Sequence, residues 1–297
     1  MSPKKFIVIV NPQGGTKRGL DIFNEISPLF EGSGAELHTI ETKYAGHAME
    51  IAHDIDLKGI KGLCHIGGDG TFHEIINGLL TRSDERKVPL GYIPGGTGNS
   101  FMYDMECLDP FNATERIIAG ATKAIDVIEV QMPNEKSYCM NIVGWGMVTD
   151  INESAEKLRW LGGQRYNLMT LLHVLSLKSR SARLVIDGEE SYDNYLFSIA
   201  CNTKHTGRGM KMAPKSKLND GLLDLVLVRN ASRVKLLKMF PKVFDGSHIH
   251  DPIVEYYQVK AFSIIPEQNE ILNLDGELKG KTPFSATVIP SAFNVFA

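Results

Sequence analysis

An α/β domain followed by a β-rich domain is the fold class that this sequence of 297 residues predicts. Three observations predict it. The N-terminal third alternates short apolar, β-branched runs with glycine turns and helical periodicity, the pattern of a parallel sheet with crossover helices. Beyond about residue 125, strand-like runs follow one another with two helical stretches among them. Hydrophobic residues make up 43% of the chain and charged residues 23%, a balance that supports packed cores and excludes intrinsic disorder. The length leaves room for one large or two modest domains, and the change of texture sets the expected boundary near residue 125.

The elements follow in order. Residues 6–10 form a continuous apolar run, the mark of a strand buried on both faces. Asn11-Pro12-Gln13-Gly14-Gly15 ends it, and Leu20, Phe23, Ile26 and Phe30 then recur at helical spacing. Residues 63–66 are a second strand, closed by Gly67-Gly68-Asp69-Gly70-Thr71, after which Phe72, Ile75, Ile76, Leu79 and Leu80 share one helical face. Thr71 with Glu74 predicts a capping box that starts this helix at the end of the turn. A third unit, 88–93, ends in Pro94-Gly95-Gly96-Thr97-Gly98-Asn99. Later strands are expected at 125–130, 138–143, 183–186, 195–201, 222–228, 259–265 and 286–289, with helices over about 154–179 and 233–240.

Composition narrows the function classes. The net charge of −3 argues against nucleic acid as a partner, because phosphate-backbone binders carry a basic excess. No apolar run reaches the ~20 residues of a membrane span, and no secretory leader is expected. Cys64, Cys107, Cys139 and Cys201 make no CxxC pair, which excludes a cysteine-built zinc site and points to a reducing compartment. The expected location is the cytoplasm.

A strand that ends in glycines and opens a helix gathers backbone N–H groups at one point, and glycine lets an anion approach them. One such turn is weak evidence, since glycine is the default in any tight turn. Three in one parallel sheet would meet at its carboxyl edge, where ligands bind, and a nucleotide phosphate fits them. The pattern is neither GxxxxGK[ST] nor GxGxxG followed by an acid about 20 residues on. Asp69 sets a carboxylate within the central turn. Beside phosphates it repels, unless it holds Mg²⁺ or takes a proton from an attacking hydroxyl; the alternative is a turn aspartate bonded to its own backbone.

NPQGG (11–15), GGDGTFHEIINGL (67–79) and PGGTGNSF (94–101) resemble the catalytic domain of the diacylglycerol kinase and sphingosine kinase superfamily of lipid kinases. WGMVTDINESAEKLRWLGGQRY (145–166) is similar to a stretch shared by sphingosine and ceramide kinases. GRGMKMAPKSKLNDGLLDLVLV (207–228) and NLDGEL (273–278) resemble the bacterial soluble lipid kinases. The resemblance covers nearly the whole chain. It implies a three-layer, Rossmann-like (NAD kinase-like) α/β domain over 1–125 and a β-sandwich lipid-substrate domain over 126–297, the last residues, about 288–297, returning to the first.

It also implies roles. Asp69 would be the general base or the centre of a magnesium network, with Asp126 joining it through water. ATP would be contacted by Asn11, Pro12, Gln13, Gly14 and Gly15, by Thr42, by Gly68, Asp69, Gly70, Thr71, Phe72, His73 and Glu74, and by Thr97, Gly98 and Asn99. Arg159 and Arg165 would face its phosphates. Glu277, in Asp275-Gly276-Glu277, is the proton acceptor assigned in the bacterial lipid kinases, whereas sphingosine kinases assign that role to Asp69; the reading favours Asp69 and keeps all three residues in the cofactor site. Lys217 and Leu222, through their carbonyls, and Asp220 would hold a structural Mg²⁺. Asp150 and Asn152 fall where sphingosine kinases read the headgroup.

Two departures stand out. Asn99 is followed by Ser100, where bacterial relatives place an aspartate. Asn152 replaces the aspartate that binds the sphingoid amine, and an amide cannot neutralise an ammonium.

Plainer readings stand beside these. Arg159 and Arg165 could lie on a solvated helix face, and residues 168–177 could be a core helix or line an acyl pocket. Lys204, Arg208, Lys211, Lys215 and Lys217 could form a solvated loop or attract an anionic membrane. Asp275-Gly276 also suits a hairpin turn. His73 and His205 have no partners at metal-ligand spacing. The expected activity is ATP- and Mg²⁺-dependent phosphorylation of a long-chain lipid, sphingoid-type or diacylglycerol. Transient membrane-surface contact is expected, and a homodimer is left open. The rivals are a kinase of a soluble substrate such as NAD and a lipid-binding protein without catalysis.

Overall fold

The computed structural model describes residues 4–156, 169, 172–174, 176–207 and 209–297. They form two compact units: residues up to Val127 together with Pro290–Ala297, and Ile128–Ile289.

In the first unit, β1 (Lys5–Val10), β2 (Glu36–Glu41), β3 (Ile60–Gly67) and β4 (Leu90–Pro94) are parallel in the order β2-β1-β3-β4. The end of the long strand β15 (Phe284–Phe296) lies parallel beside β4, with Val295 opposite Leu90. The helices are α1 (Gly19–Gly32), α2 (His47–Asp54), α3 (Asp69–Leu80), α4 (Ser100–Asp104) and α5 (Pro110–Ala119). From β1 the chain steps to β2 on one side, and from β3 to β4 on the other. Right-handed crossovers therefore put α1 and α3 on opposite faces, where α1 packs with α5 and α3 with α2. This is the three-layer α/β arrangement, and its strand order reverses direction between β1 and β3. β1 is buried over Phe6–Val10 because both faces are covered.

The second unit is antiparallel. β5 (Thr122–Gln131) enters it and pairs with β6 (Lys136–Cys139); β7 (Ile142–Gly146), β8 (Arg180–Ile186), β9 (Glu189–Cys201), β10 (Leu223–Arg229), β11 (Val254–Val259), β12 (Ala261–Pro266), β13 (Ile271–Leu274) and β14 (Glu277–Lys281) follow. The order is β14-β13-β7-β9-β8-β12-β15, and β10 joins β9 to β11. Period-two alternation sorts β10 between two cores. Leu223, Leu225 and Leu227 enter the cluster around Trp145 and Phe262, whereas Val226 and Val228 enter the cluster with Leu236 and Met239.

The sequence reading needs four corrections here. The capping box does not form: α3 starts at Asp69, with Gly68 as its extended N-cap. The Thr71 hydroxyl accepts from Asn11 Nδ2 at 2.9 Å, and Glu74 accepts from Gly46 N and Ala48 N at 2.8 and 3.1 Å. Glu74 thus caps α2, whose first donors have no acceptor of their own. The expected strand over 138–143 is two, because the Met140, Asn141 and Ile142 amides turn to the Asp275 carboxylate at 3.0, 2.8 and 2.9 Å. The expected strand over 259–265 is also two, interrupted where Asp187 accepts from Lys260 N and Ala261 N at 3.2 and 3.1 Å. The helix expected from 154 begins earlier, with α6 at Met147–Glu156. Among the described residues, no helix is long and apolar enough to cross a membrane.

Candidate active site

The first unit brings its three glycine turns together at the carboxyl ends of β1, β3 and β4. A Cβ on Gly15 would lie 2.7 Å from Gly95 O, and one on Gly96 only 2.5 Å from Gly68 Cα. Backbone meets backbone there, and Gly15 also has φ +56°, a conformation side chains disfavour. Gly95 N donates to Gly67 O at 2.7 Å, and Asn11 N to Ile66 O at 3.0 Å. Asn11 Oδ1 accepts from Gln13 N at 3.0 Å, which shapes the first turn. Asn99, at φ +50°, does the same for the third turn: its Oδ1 accepts from Gly96 N at 3.1 Å and its Nδ2 donates to Gly96 O at 3.0 Å. Helix starts follow directly at α3 and α4. The result is a side-chain-free edge at the sheet's switch point, a surface that suits phosphate oxygens. Ala at Gly96 would overlap Gly68, so Gly96→Ala is expected to lower stability by roughly 1–3 kcal/mol and to weaken ATP binding about tenfold or more. Thermal melts with and without ATP measure both effects, and unchanged melts would refute the contact.

Asp69 faces this edge and joins two of its turns. Its Oδ2 accepts from Ser100 N at 2.7 Å, and its Oδ1 from Phe101 N at 3.3 Å and Tyr92 OH at 3.2 Å. The carboxylate therefore sits at the first turn of α3 and caps α4, where a negative charge is favourable at both helix ends. Burial and the adjacent Asp69 carboxylate push the Tyr92 phenol well above its ordinary value, so it remains an O–H donor. Tyr92 belongs to a buried cluster with His65, Phe72 and Phe101. Burial lowers the His65 imidazole to about 3, against a raising hydrogen bond at Gly91, so that cluster is uncharged.

The other residues of the predicted ATP set divide. Gln13, Gly15 and Thr97 are exposed, Pro12, Gly14, Gly68, Gly70 and Gly98 half-buried, and Thr42 and His73 buried. Phe72 is fully buried among aromatic rings, so its side chain is core. The Glu74 carboxylate is directed to α2. Asp126 is buried, and its Oδ1 accepts from Ser291 N at 2.7 Å. Arg159 and Arg165 lie outside the described residues, as do Arg208 and residues 168, 170, 171 and 175.

In the second unit, Asp275 and Gly276 turn the β13–β14 hairpin at φ +53° and +96°. The buried Asp275 carboxylate takes the three amides named above, donors that require an acceptor. Glu277 follows, exposed. Asn152 is buried and donates through Nδ2 to Gly276 O at 2.6 Å. Asp150 is gripped by Arg180 Nη2 at 2.7 and 2.8 Å, and Arg180 Nε bonds Glu270 at 2.7 and 2.8 Å. Both expected headgroup readers are thus tied into the fold. Asp220 Oδ1 accepts from Leu222 N at 3.1 Å, and Lys217 and Asp220 are exposed. Sequence reasoning missed Tyr92, Arg180 and Glu270. Tyr92 alternates with Ile93 on a recognised strand and was open to a face argument, whereas nothing local marks the other two.

Comparison with known proteins places this geometry. The diacylglycerol kinase catalytic domain model matches residues 5–130, and the YegS C-terminal NAD kinase beta sandwich-like domain matches 141–297. Sphingosine kinase 1 of Arabidopsis thaliana is 30% identical, over 93% of this chain and 68% of that protein. Diacylglycerol kinase of Bacillus subtilis is 29% identical, over 94% of this chain and 92% of that one. The crystal structure of a diacylglycerol kinase from Bacillus anthracis str. Sterne superposes with a TM-score of 0.76 at 20% identity, over 100% of this chain and 97% of that one, and shows the shared fold. With one family model on the catalytic half, another on the β-sandwich half, and relatives aligned along nearly all of it, the chain belongs to the diacylglycerol kinase and sphingosine kinase family of lipid kinases.

Proposed function

We propose that this protein transfers the γ-phosphoryl group of ATP to the primary hydroxyl of a long-chain lipid, either a sphingoid-type lipid or diacylglycerol. The observation that carries the reading is the convergence of three glycine turns on one edge with a single carboxylate, Asp69, beside them. The backbone of Asn11–Gly15, Gly68–Thr71 and Thr97–Asn99 holds the phosphates. The lipid oxygen bonds to the γ-phosphorus as the bond to the bridging oxygen breaks, ADP leaves, and Asp69 orients or accepts the hydroxyl proton. Asp69 and Asp126 would hold a Mg²⁺ that, when bound, offsets charge on the phosphate oxygens; the glycine edge that a Cβ would fill is the observation that fits the nucleotide. Lys217 and Leu222, through their carbonyls, and Asp220 would hold a structural Mg²⁺.

A neutral headgroup suits the second unit. The Asp150 carboxylate is neutralised by Arg180, and the residue at 152 is an amide. Neither offers an ammonium a counter-charge, which favours ceramide-like lipids or diacylglycerol over a free sphingoid base. Incubation with labelled ATP and sphingosine, ceramide, monoacylglycerol, diacylglycerol, NAD or buffer alone, followed by organic extraction, tests the reading. Label is expected in the organic phase with ceramide or diacylglycerol. Label on NAD alone would replace the substrate class, and no label above buffer would overturn the activity.

A further inference from the structure

Residues 233–244 read Arg-Val-Lys-Leu-Leu-Lys-Met-Phe-Pro-Lys-Val-Phe, four cations and no acid in a chain of net charge −3. Helix α7 (Arg233–Met239) and the 3-10 turn Phe240–Val243 carry them. Leu236, Met239 and Val243 are buried and seat the segment on the second unit. Val234, Leu237 and Phe244 face outward, 60%, 39% and 46% exposed. Val234 and Leu237 are neighbours on one helical face. The Phe244 ring stands edge-on to Phe240, with centroids 5.8 Å apart. Arg233, Lys235 and Lys238 are exposed among these apolar groups; Lys242 pairs with Asp251 at 2.8 Å, and Asp245 lies just beyond the segment.

Exposed apolar side chains interleaved with cations suit one environment in particular: a lipid interface, where apolar groups enter the acyl boundary and cations meet headgroup phosphates. We infer that residues 233–244 are the surface by which this protein docks on an anionic membrane. The inference rests on the lipid-kinase reading, which requires access to a membrane substrate. A second copy fits less well, because a two-fold contact would set Arg233, Lys235 and Lys238 against themselves.

Vesicle co-sedimentation without ATP tests it, using phosphatidylcholine alone or with about 30% phosphatidylglycerol. The native chain is expected to bind the anionic vesicles about tenfold more tightly, and less so in high salt. V234S/L237S/F244S and K235E/K238E are each expected to lose about tenfold of that binding with melting temperature unchanged. Their activity on a short-chain, monomeric lipid should stay at the native level. Native-like vesicle binding by both variants would overturn the inference, as would a native dimer that the serine variant dissolves while vesicle binding persists. Since binding is read without turnover, failure of the lipid-panel assay and failure of vesicle binding are separate results.

Discussion

Replacing Asp69 with Asn is expected to slow phosphoryl transfer by about 10³-fold while ATP affinity changes by no more than a few-fold. Asparagine keeps an oxygen that can accept from Ser100 N, so the third glycine turn is still anchored. It loses the negative charge and the capacity to take a proton, and its NH₂ would oppose Phe101 N–H or Tyr92 O–H. A modest stability loss, about 1 kcal/mol, accompanies that mismatch. Initial rates on the best lipid of the panel, with ATP binding by calorimetry, separate the two effects. Glu277→Gln, on an exposed turn residue, is expected to change turnover by less than about tenfold. If Glu277→Gln proved the more damaging of the two, the base would be Glu277; native-like turnover by Asp69→Asn would remove Asp69 from the chemistry altogether.

Arg180→Met is expected to be the most destabilising single change, by roughly 3–5 kcal/mol. Arg180 is almost wholly buried and bonds both Asp150 on α6 and Glu270 before β13. Without it, two carboxylates face each other with only the exposed Lys178, 3.0 Å from Glu270, as a remaining described cation. Burial alone would raise the Glu270 carboxyl, but hydrogen bonds from Arg180 and Lys178 outweigh it and hold the group below its ordinary value. Its contribution is therefore present above the unfolded carboxylate value and is lost as pH falls through the folded one. Denaturant unfolding at neutral pH and near pH 3 should show the gap between native and Arg180→Met narrowing in acid. Adding Asp150→Asn and Glu270→Gln to Arg180→Met should recover about half the loss at neutral pH. A constant gap across pH would refute the ionic account.

What the sequence disclosed follows the range of each interaction. The runs at 6–10 and 63–66 and the three glycine turns are local patterns, legible because period, burial and turn chemistry are written within a few neighbours. β2 (Glu36–Glu41) escaped because it is an edge strand with mostly polar, exposed residues. Glu74 looked like a local cap, yet its partners lie 26 and 28 positions away, and a three-residue spacing could not distinguish the two. Asp150 and Asn152 occupy the expected positions but point at Arg180 and Gly276, 30 and 124 residues distant. Asp275 suits a hairpin turn by its own chemistry, but only the fold brings it the amides of Met140 to Ile142. Position was legible; engagement depended on partners the fold supplies.

Strand β15 begins among the strands of the second unit and ends beside β4 in the first. There the Phe296 ring lies tilted against Phe6, centroids 6.2 Å apart, and Ala297 N donates to Ala121 O at 3.1 Å. The β4 edge of the first unit's sheet is thus covered by residues far along the chain from its other strands. A fragment stopping at Val127 would expose β4 to pairing with other chains, so expression trials of that half should carry residues 290–297 grafted on rather than truncate at the apparent boundary.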